Sequence, residues 1–268
     1  MSTGKYYAII KNMDSLSRIC NDKILAEHFA KSLNTHFTGK DIIFLPEVKS
    51  TNLFAKEHIE NLKNGTAIVA DFQTHGRGRM NRKWFSPKGL GLWTTIILKN
   101  PAIETQKLPL INALISVVIT KSILKISGKQ VAIKWPNDLL LDGKKICGIL
   151  SEVLTVSGET ILICGFGINT GKNISFPSDM MAHSIELEEE REFLLKEILE
   201  QFEYFYNLLP GEEILKEWRK HSISLNRYIE TGEKIPARVL DIGSTGELLV
   251  EIDGTEKAIY SGDNITWK

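Results

Sequence analysis

The sequence predicts a mixed α/β domain followed by a small all-β unit, and three observations carry that reading. Short apolar runs of strand length alternate with helix-length segments up to about residue 221. From about Ser222 the texture changes to brief β-like runs punctuated by glycine. A chain of 268 residues is also long enough for a large core and a second, smaller domain.

Composition narrows the function classes. Apolar residues make up 43% and charged residues 25% of the chain, the balance of an ordinary soluble globular protein. The 33 Lys+Arg equal the 33 Asp+Glu, so no global field draws the chain to nucleic acid or anionic lipid. Electrostatic capture has to be local. Cys20, Cys147 and Cys164 are odd in number and widely spaced, a pattern of buried reduced thiols rather than a disulfide framework or metal cluster. Residues 1–12 lack a signal-peptide core, and no apolar run approaches the roughly 20 residues that span a bilayer. The expectation is a cytoplasmic protein with no membrane partner.

The elements follow in order. Asp22 is placed to cap a helix carrying Ile24, Leu25, His28, Phe29 and Leu33 on one face. Residues 42–45 read as a buried strand ending at Pro46. Ser50 or Thr51 caps the next helix, whose apolar positions include Leu53, Phe54, Ile59 and Leu62. Strand-like runs cover 67–70 and 90–98, and residues 108–126 are apolar on most faces, as in a helix buried against a sheet. Strands are expected at 131–134, 146–156 and 160–168, the last two joined by a Ser157-Gly158-Glu159 turn. Helices are expected at 188–209, with acidic residues at its start, and at 212–220 beyond Pro210-Gly211. The tail has β-like runs at 237–240, 248–252 and 257–260, a barrel of roughly 45 residues docked on the larger unit. The division falls as 1–221 and 222–268, with 1–21 an extension of unassigned structure.

Four motifs carry chemistry. In Gln73-Thr74-His75-Gly76-Arg77-Gly78-Arg79-Met80-Asn81-Arg82-Lys83-Trp84, four cations and two glycines fall within nine residues, closed by an indole. Glycine lets backbone approach a ligand, and arginine offers a rigid charged fork for carboxylate or phosphate. Asn81 in place of a third glycine rules out the dinucleotide fingerprint, and no Gly-Lys-Ser/Thr follows to make a Walker loop. Spacing alone leaves open a small-anion cradle, a solvated basic loop and a nucleic-acid contact.

Lys134-Trp135-Pro136-Asn137-Asp138 presents an amide and a carboxylate together after a strand end; an ordinary turn is the alternative. Lys144-Lys145-Ile146-Cys147-Gly148 puts a cation at the rim of the core, or else is a solvated hairpin rim. Gly165-Phe166-Gly167-Ile168-Asn169 removes side chains that would block a pocket, or else marks a bulge.

Taken together and in this order, with Ser50-Thr51-Asn52 ahead of them, these motifs resemble biotin–protein ligases over about residues 22 to 268. The resemblance implies a catalytic domain related to class II aminoacyl-tRNA synthetases and an SH3-like C-terminal domain. It implies condensation of biotin with MgATP to biotinyl-5′-AMP, then transfer to a lysine of a biotin carboxyl carrier domain. By position, Ser50, Thr51, Asn52, Gln73, Gly76, Arg77, Gly78 and Gly148 would serve biotin. Arg82, Trp84, Lys134, Asn137 and Asn169 would serve ATP and the adenylate, while Arg79 and Lys145 would serve both and carry the catalysis. No metal ligand is assigned.

The family loop commonly reads Gly-Arg-Gly-Arg-x-Gly-Arg-x-Trp; Asn81 stands here at the third glycine, and asparagine tolerates positive φ better than most residues. Some relatives carry an N-terminal DNA-binding domain. The roughly 20 residues ahead of the resembling region lead us to expect no operator binding. Short members are often homodimers. A lipoate or octanoate ligase of the same fold and a non-catalytic biotin sensor are the rival readings.

Overall fold

The structure, a computed structural model, describes residues 16, 19, 23–101, 108–178, 180–209 and 211–268. Asp22, Cys20 and Pro210, which entered the sequence reading, lie outside them. In helix α1 (Lys23–Ser32), Phe29 is buried and meets Phe44 edge-on at 5.5 Å, and Leu33 is buried just beyond the helix end. Leu25 and His28 face solvent, so the apolar face is narrower than the sequence periodicity predicts.

The main sheet has seven strands in the order β1-β2-β3-β7-β6-β5-β4. These are β1 (Ile42–Leu45), β2 (Ala67–Ala70), β3 (Gly91–Lys99), β4 (Ala132–Lys134), β5 (Asp138–Leu141), β6 (Lys144–Val156) and β7 (Glu159–Asn169). Only β1 and β2 pair in parallel; every other neighbour is antiparallel. Strand β1 is half-buried rather than buried, because it is an edge strand with a single neighbour.

The long β6–β7 hairpin turns at Ser157 and Gly158, both at positive φ (51° and 84°), the conformation that a two-residue turn needs to match strand twist. Strand β5 has no counterpart in the sequence reading, which ends a strand at Lys134 and leaves Asn137-Asp138 as either a presented amide-carboxylate pair or an ordinary turn. The turn is Trp135–Asn137, across a cis Trp135–Pro136 bond, and Asp138 already pairs with Gly148 in the sheet.

Helix α2 (Thr51–Glu57) starts at Ser50, which holds the N-cap position without a side-chain cap hydrogen bond. Helix α3 (Leu108–Ser127) is long and apolar enough by length and composition to cross a membrane, contrary to the sequence expectation. Here that surface is spent on the core: Leu110, Ile111, Leu114, Val118 and Ile123 are buried, in one cluster with residues of α4 (Arg191–Tyr206) and α5 (Glu212–His221). Helix α4 begins with a buried clamp, where Arg191 donates to the Gly91 carbonyl (2.6 Å) and pairs with Asp71 (2.9 Å). That pins the chain just ahead of Gln73.

A second sheet holds β8 (Tyr228–Thr231), β9 (Pro236–Ile242), β10 (Leu248–Ile252), β11 (Thr255–Ile259) and β12 (Ile265–Trp267) in the order β11-β10-β9-β8-β12. Strands β8 and β12 had no counterpart in the sequence reading. Against the main unit, Trp135 donates from Nε1 to the Gly246 carbonyl (3.0 Å), and Arg219 pairs with Asp241 (2.7 Å). The β12 end of this sheet reaches the motif-bearing face of the first.

Candidate active site

A cavity of about 410 Å³, in the range of small-molecule sites, opens where the four motifs meet. Its floor is β6 and β7, in register so that Gly148 faces Gly167 and Leu150 faces Gly165. There is no bulge at 165–169; the glycines clear space in a regular ladder. A Cβ at Gly167 would lie 2.3 Å from Trp84 Nε1, and one at Gly165 would lie 2.1 Å from Asn52 Oδ1. Only glycine lets those side chains lie on the sheet.

One end of the cavity is neutral and tightly bonded. Thr51 donates its backbone N–H to Gln73 Oε1 (2.9 Å), and Gln73 Nε2 donates to Ser86 Oγ (2.9 Å). The Thr95 hydroxyl lies 2.8 Å from Thr51 Oγ1 and 2.6 Å from Asn52 Oδ1. Asn52 Nδ2 donates to the Leu150 carbonyl (3.1 Å) and to Glu152 (3.0 Å), whose other oxygen meets Lys56 at 2.7 Å. Ser50, Thr51, Asn52, Gln73, Ser86 and Thr95 are all buried. Buried polar groups with their partners in place have fixed orientations, so this end can read the donors and acceptors of a neutral polar head group.

The other end is charged. Arg77, Arg79, Arg82, Lys83, Lys134 and Lys145 line the cavity against the carboxylates of Asp138 and Asp263, a local positive excess in a chain whose net charge is zero. Lys145 Nζ pairs with Asp138 at 2.6 Å and stands 5.2 Å from the Trp84 ring centroid. Lys134 Nζ stands 5.6 Å from the Trp267 ring, and Arg79 pairs with Asp263 at 2.6 Å. Asn137 donates to the Ile149 carbonyl (2.8 Å), and Asn169 donates to the His183 carbonyl (2.9 Å).

The arginine-glycine loop arches over this end, tied to itself by Gly78 N–H to Arg82 O (2.7 Å) and Trp84 N–H to Gly76 O (2.9 Å). Met80 and Asn81 both adopt positive φ (53° and 57°), and Asn81 Oδ1 accepts from Arg77 Nη2 at 2.8 Å. Asparagine thus takes the backbone form for which glycine is the usual residue.

Every residue to which the resemblance gives a biotin, nucleotide or catalytic role lines this cavity except Gly76. Gly76 is buried behind the wall, where a Cβ would lie 2.4 Å from the Trp84 carbonyl and 2.5 Å from Ser86 Oγ. The sequence reading missed Ser86, Phe85, Phe176, Met180, Asp263 and Trp267. Phe85 and Phe176 meet at 6.1 Å, and the segment carrying Met180 returns to the start of β6 through His183 N–H to Lys145 O (2.8 Å). Ser86 had a local signal, its closeness to Gln73 and Trp84. The others come from distant segments without motif context.

Fold and cavity together define a ligase-class site, with a neutral recognition end joined to a cationic end. Residues 44–169 match the biotin/lipoate A/B protein ligase family. The chain is 32% identical over 274 residues to the bifunctional ligase/repressor BirA of Bacillus spizizenii, covering 97% of this chain and 82% of that protein. It is 30% identical to the BirA of Escherichia coli strain K12, over 87% of this chain and 76% of the relative. Among solved structures, a biotin protein ligase from Aquifex aeolicus in complex with biotin and ATP superposes with a TM-score of 0.73. That match has 28% identity over 85% of this chain and 100% of the other. The chain belongs to the biotin–protein ligase family.

Proposed function

We infer that this chain activates biotin with ATP to biotinyl-5′-AMP, releasing pyrophosphate, and passes the biotinyl group to a lysine of a biotin carboxyl carrier domain. The observation that carries this reading is one cavity in which a fixed neutral end and a cationic end face each other across a glycine floor. In the first step a biotin carboxylate oxygen bonds to the α-phosphorus while the bond to pyrophosphate breaks. In the second the carrier amine bonds to the acyl carbon, sheds a proton, and AMP leaves.

No nucleophilic side chain is needed. An anion attacking an anion must overcome repulsion, and fixed cations in a confined pocket stabilise the charge gathered on the non-bridging oxygens. Both Lys145 and Arg79 line the cationic end; we assign Lys145 that role between the carboxylate and the α-phosphate, and Arg79 the holding of the adenylate under the loop. Ser50, Thr51, Asn52 and Gln73 take the polar head of biotin, with the Gly148 floor beneath the ligand. Arg77 and Gly78 close over biotin and adenylate, and Gly76 supports them from behind. Arg82, Trp84, Lys134, Asn137 and Asn169 take the nucleotide side. Magnesium arrives with the triphosphate, as part of the substrate.

We read residues 1–221 as the catalytic domain and 222–268 as the C-terminal domain. Cys147 and Cys164 are buried free thiols, consistent with a reducing, cytoplasmic setting. Incubation with biotin, MgATP and a carrier domain, read by mass spectrometry, tests the whole. The carrier should gain one biotinyl group; no gain, or gain of lipoate alone when both acids are supplied together, would overturn it.

A further inference from the structure

The loop cation expected to meet the adenylate phosphate is already engaged. Arg79 Nη2 pairs with Asp263 Oδ1 at 2.6 Å, and the same nitrogen donates to Ser261 Oγ at 3.2 Å. Ser261 Oγ in turn donates to the second oxygen of Asp263 (2.8 Å) and accepts from the Asp263 backbone N–H (3.3 Å). These partners sit 182 and 184 residues further along the chain, Ser261 as the N-cap of the turn Gly262–Asn264 and Asp263 within it, just ahead of β12.

That turn is wedged against the Lys-Trp-Pro-Asn-Asp motif: a Cβ at Gly262 would lie 2.8 Å from Pro136 Cδ. The carboxylate therefore has a fixed place at the phosphate end of the cavity. A carboxylate there repels a triphosphate, so phosphate binding is not a role it can serve directly. What it can do is occupy the guanidinium until a phosphate oxygen replaces it.

We propose that Asp263 is a charge placeholder for Arg79, holding the guanidinium across the cavity mouth in the ligand-free protein and surrendering it to a phosphate oxygen of the nucleotide. The C-terminal sheet thereby becomes a positioning element of the nucleotide site. The inference rests on the assignment of Arg79 to the adenylate phosphate, and its test keeps the two apart.

The pair is only partly buried, with side chains 25% and 38% exposed, so the competition it exerts is modest. Asp263→Asn should tighten binding of magnesium α,β-methylene-ATP, which cannot be cleaved to AMP, by roughly two- to fivefold on the biotin-saturated full chain. Titration calorimetry reads the affinity, and circular dichroism shows that the fold is kept. Ser261→Ala should shift affinity the same way by less. In an Arg79→Ala background the Asp263→Asn effect should vanish.

Unchanged or weaker binding by Asp263→Asn, with Arg79→Ala still impaired, overturns the placeholder and leaves the Arg79 assignment standing. Tightening that persists without Arg79 also overturns it, by showing plain repulsion between carboxylate and triphosphate. Normal binding by Arg79→Ala removes the assignment and the placeholder together.

Discussion

The two ends of the cavity solve opposite problems with different physics. At the neutral end, which we assign to biotin, Thr51, Asn52 and Gln73 are 4–8% exposed, uncharged and bonded to one another and to Thr95, Ser86 and Leu150. At the cationic end, which we assign to the phosphates, Lys145 and Arg79 are 30% and 25% exposed in their side chains and paired with single carboxylates. A rigid neutral network discriminates ligands, because a missing partner leaves a buried group unsatisfied. Half-exposed ion pairs exchange partners at small cost, which suits a site whose charge changes through the reaction. Recognition is fixed at one end and charge is mobile at the other.

The most severe way to break this contrast is Lys145→Ala. If the charged end supplies the chemistry, the substitution removes the cation nearest the bond being made. Single-turnover adenylate formation should slow by about a hundred- to a thousandfold, the scale of losing one transition-state donor. The fold should persist, since Lys145 is half-exposed at a strand start, and biotin should bind more weakly because its carboxylate loses a cation. Adenylation at the parent rate would show that charge at this end does not drive the step.

Gln73→Ala attacks the other end. It strands the Thr51 N–H, an unmet buried group that costs about 1–3 kcal/mol, while the Ser86 hydroxyl keeps its bond to the Trp84 carbonyl. Biotin should bind roughly ten- to a hundredfold more weakly, while the KM for MgATP stays near the parent value. A comparable loss on both substrates would mean that the two ends are not separable.

The contrast between fixed and mobile charge sharpens outside the cavity at Glu203. Burial alone would raise this carboxyl pKa, but hydrogen bonds from the backbone N–H groups of Thr38, His36 and Phe37 outweigh it and leave it below the ordinary value. A carboxyl depressed in the folded state stabilises at pH above its unfolded pKa, and the contribution fades as pH falls through the folded value. Glu203→Gln should cost about 2 kcal/mol at pH 7. Denaturant melts at pH 7 and at pH 3 should show the parent and variant converging in acid. A gap of the same size at both values would assign the effect to packing.

What was legible in the sequence follows the same division. The loop, the Lys-Trp-Pro-Asn-Asp run and the strand glycines are contiguous, so their spacing carries the site, and the long strands and helices show in their apolar runs. Strand β5 was hidden because Pro136 and Asn137 read as turn, although only tertiary pairing with β6 decides where the turn ends. Strands β8 and β12 are three or four residues long, below the reach of an alternation pattern. Asp263 was invisible for a different reason. Its meaning lies wholly in a partner far away in the chain, and an isolated Gly-Asp-Asn reads as a solvated turn.

The smallest expected effect concerns Asn81, where this loop departs from the family pattern. Its φ of 57° is one that glycine adopts without strain, so Asn81→Gly relieves a small conformational cost and adds unfolded-state freedom. It also removes the acceptor that holds Arg77 at 2.8 Å. The site is exposed, so these terms nearly cancel, and stability should move by less than about 0.5 kcal/mol. Release of Arg77 should speed dissociation of biotinyl-AMP by no more than about twofold, measured as AMP-dependent fluorescence decay on dilution. A tenfold change would place the immobile part of the site in the loop itself, and the division between a rigid biotin end and a mobile phosphate end would have to be redrawn.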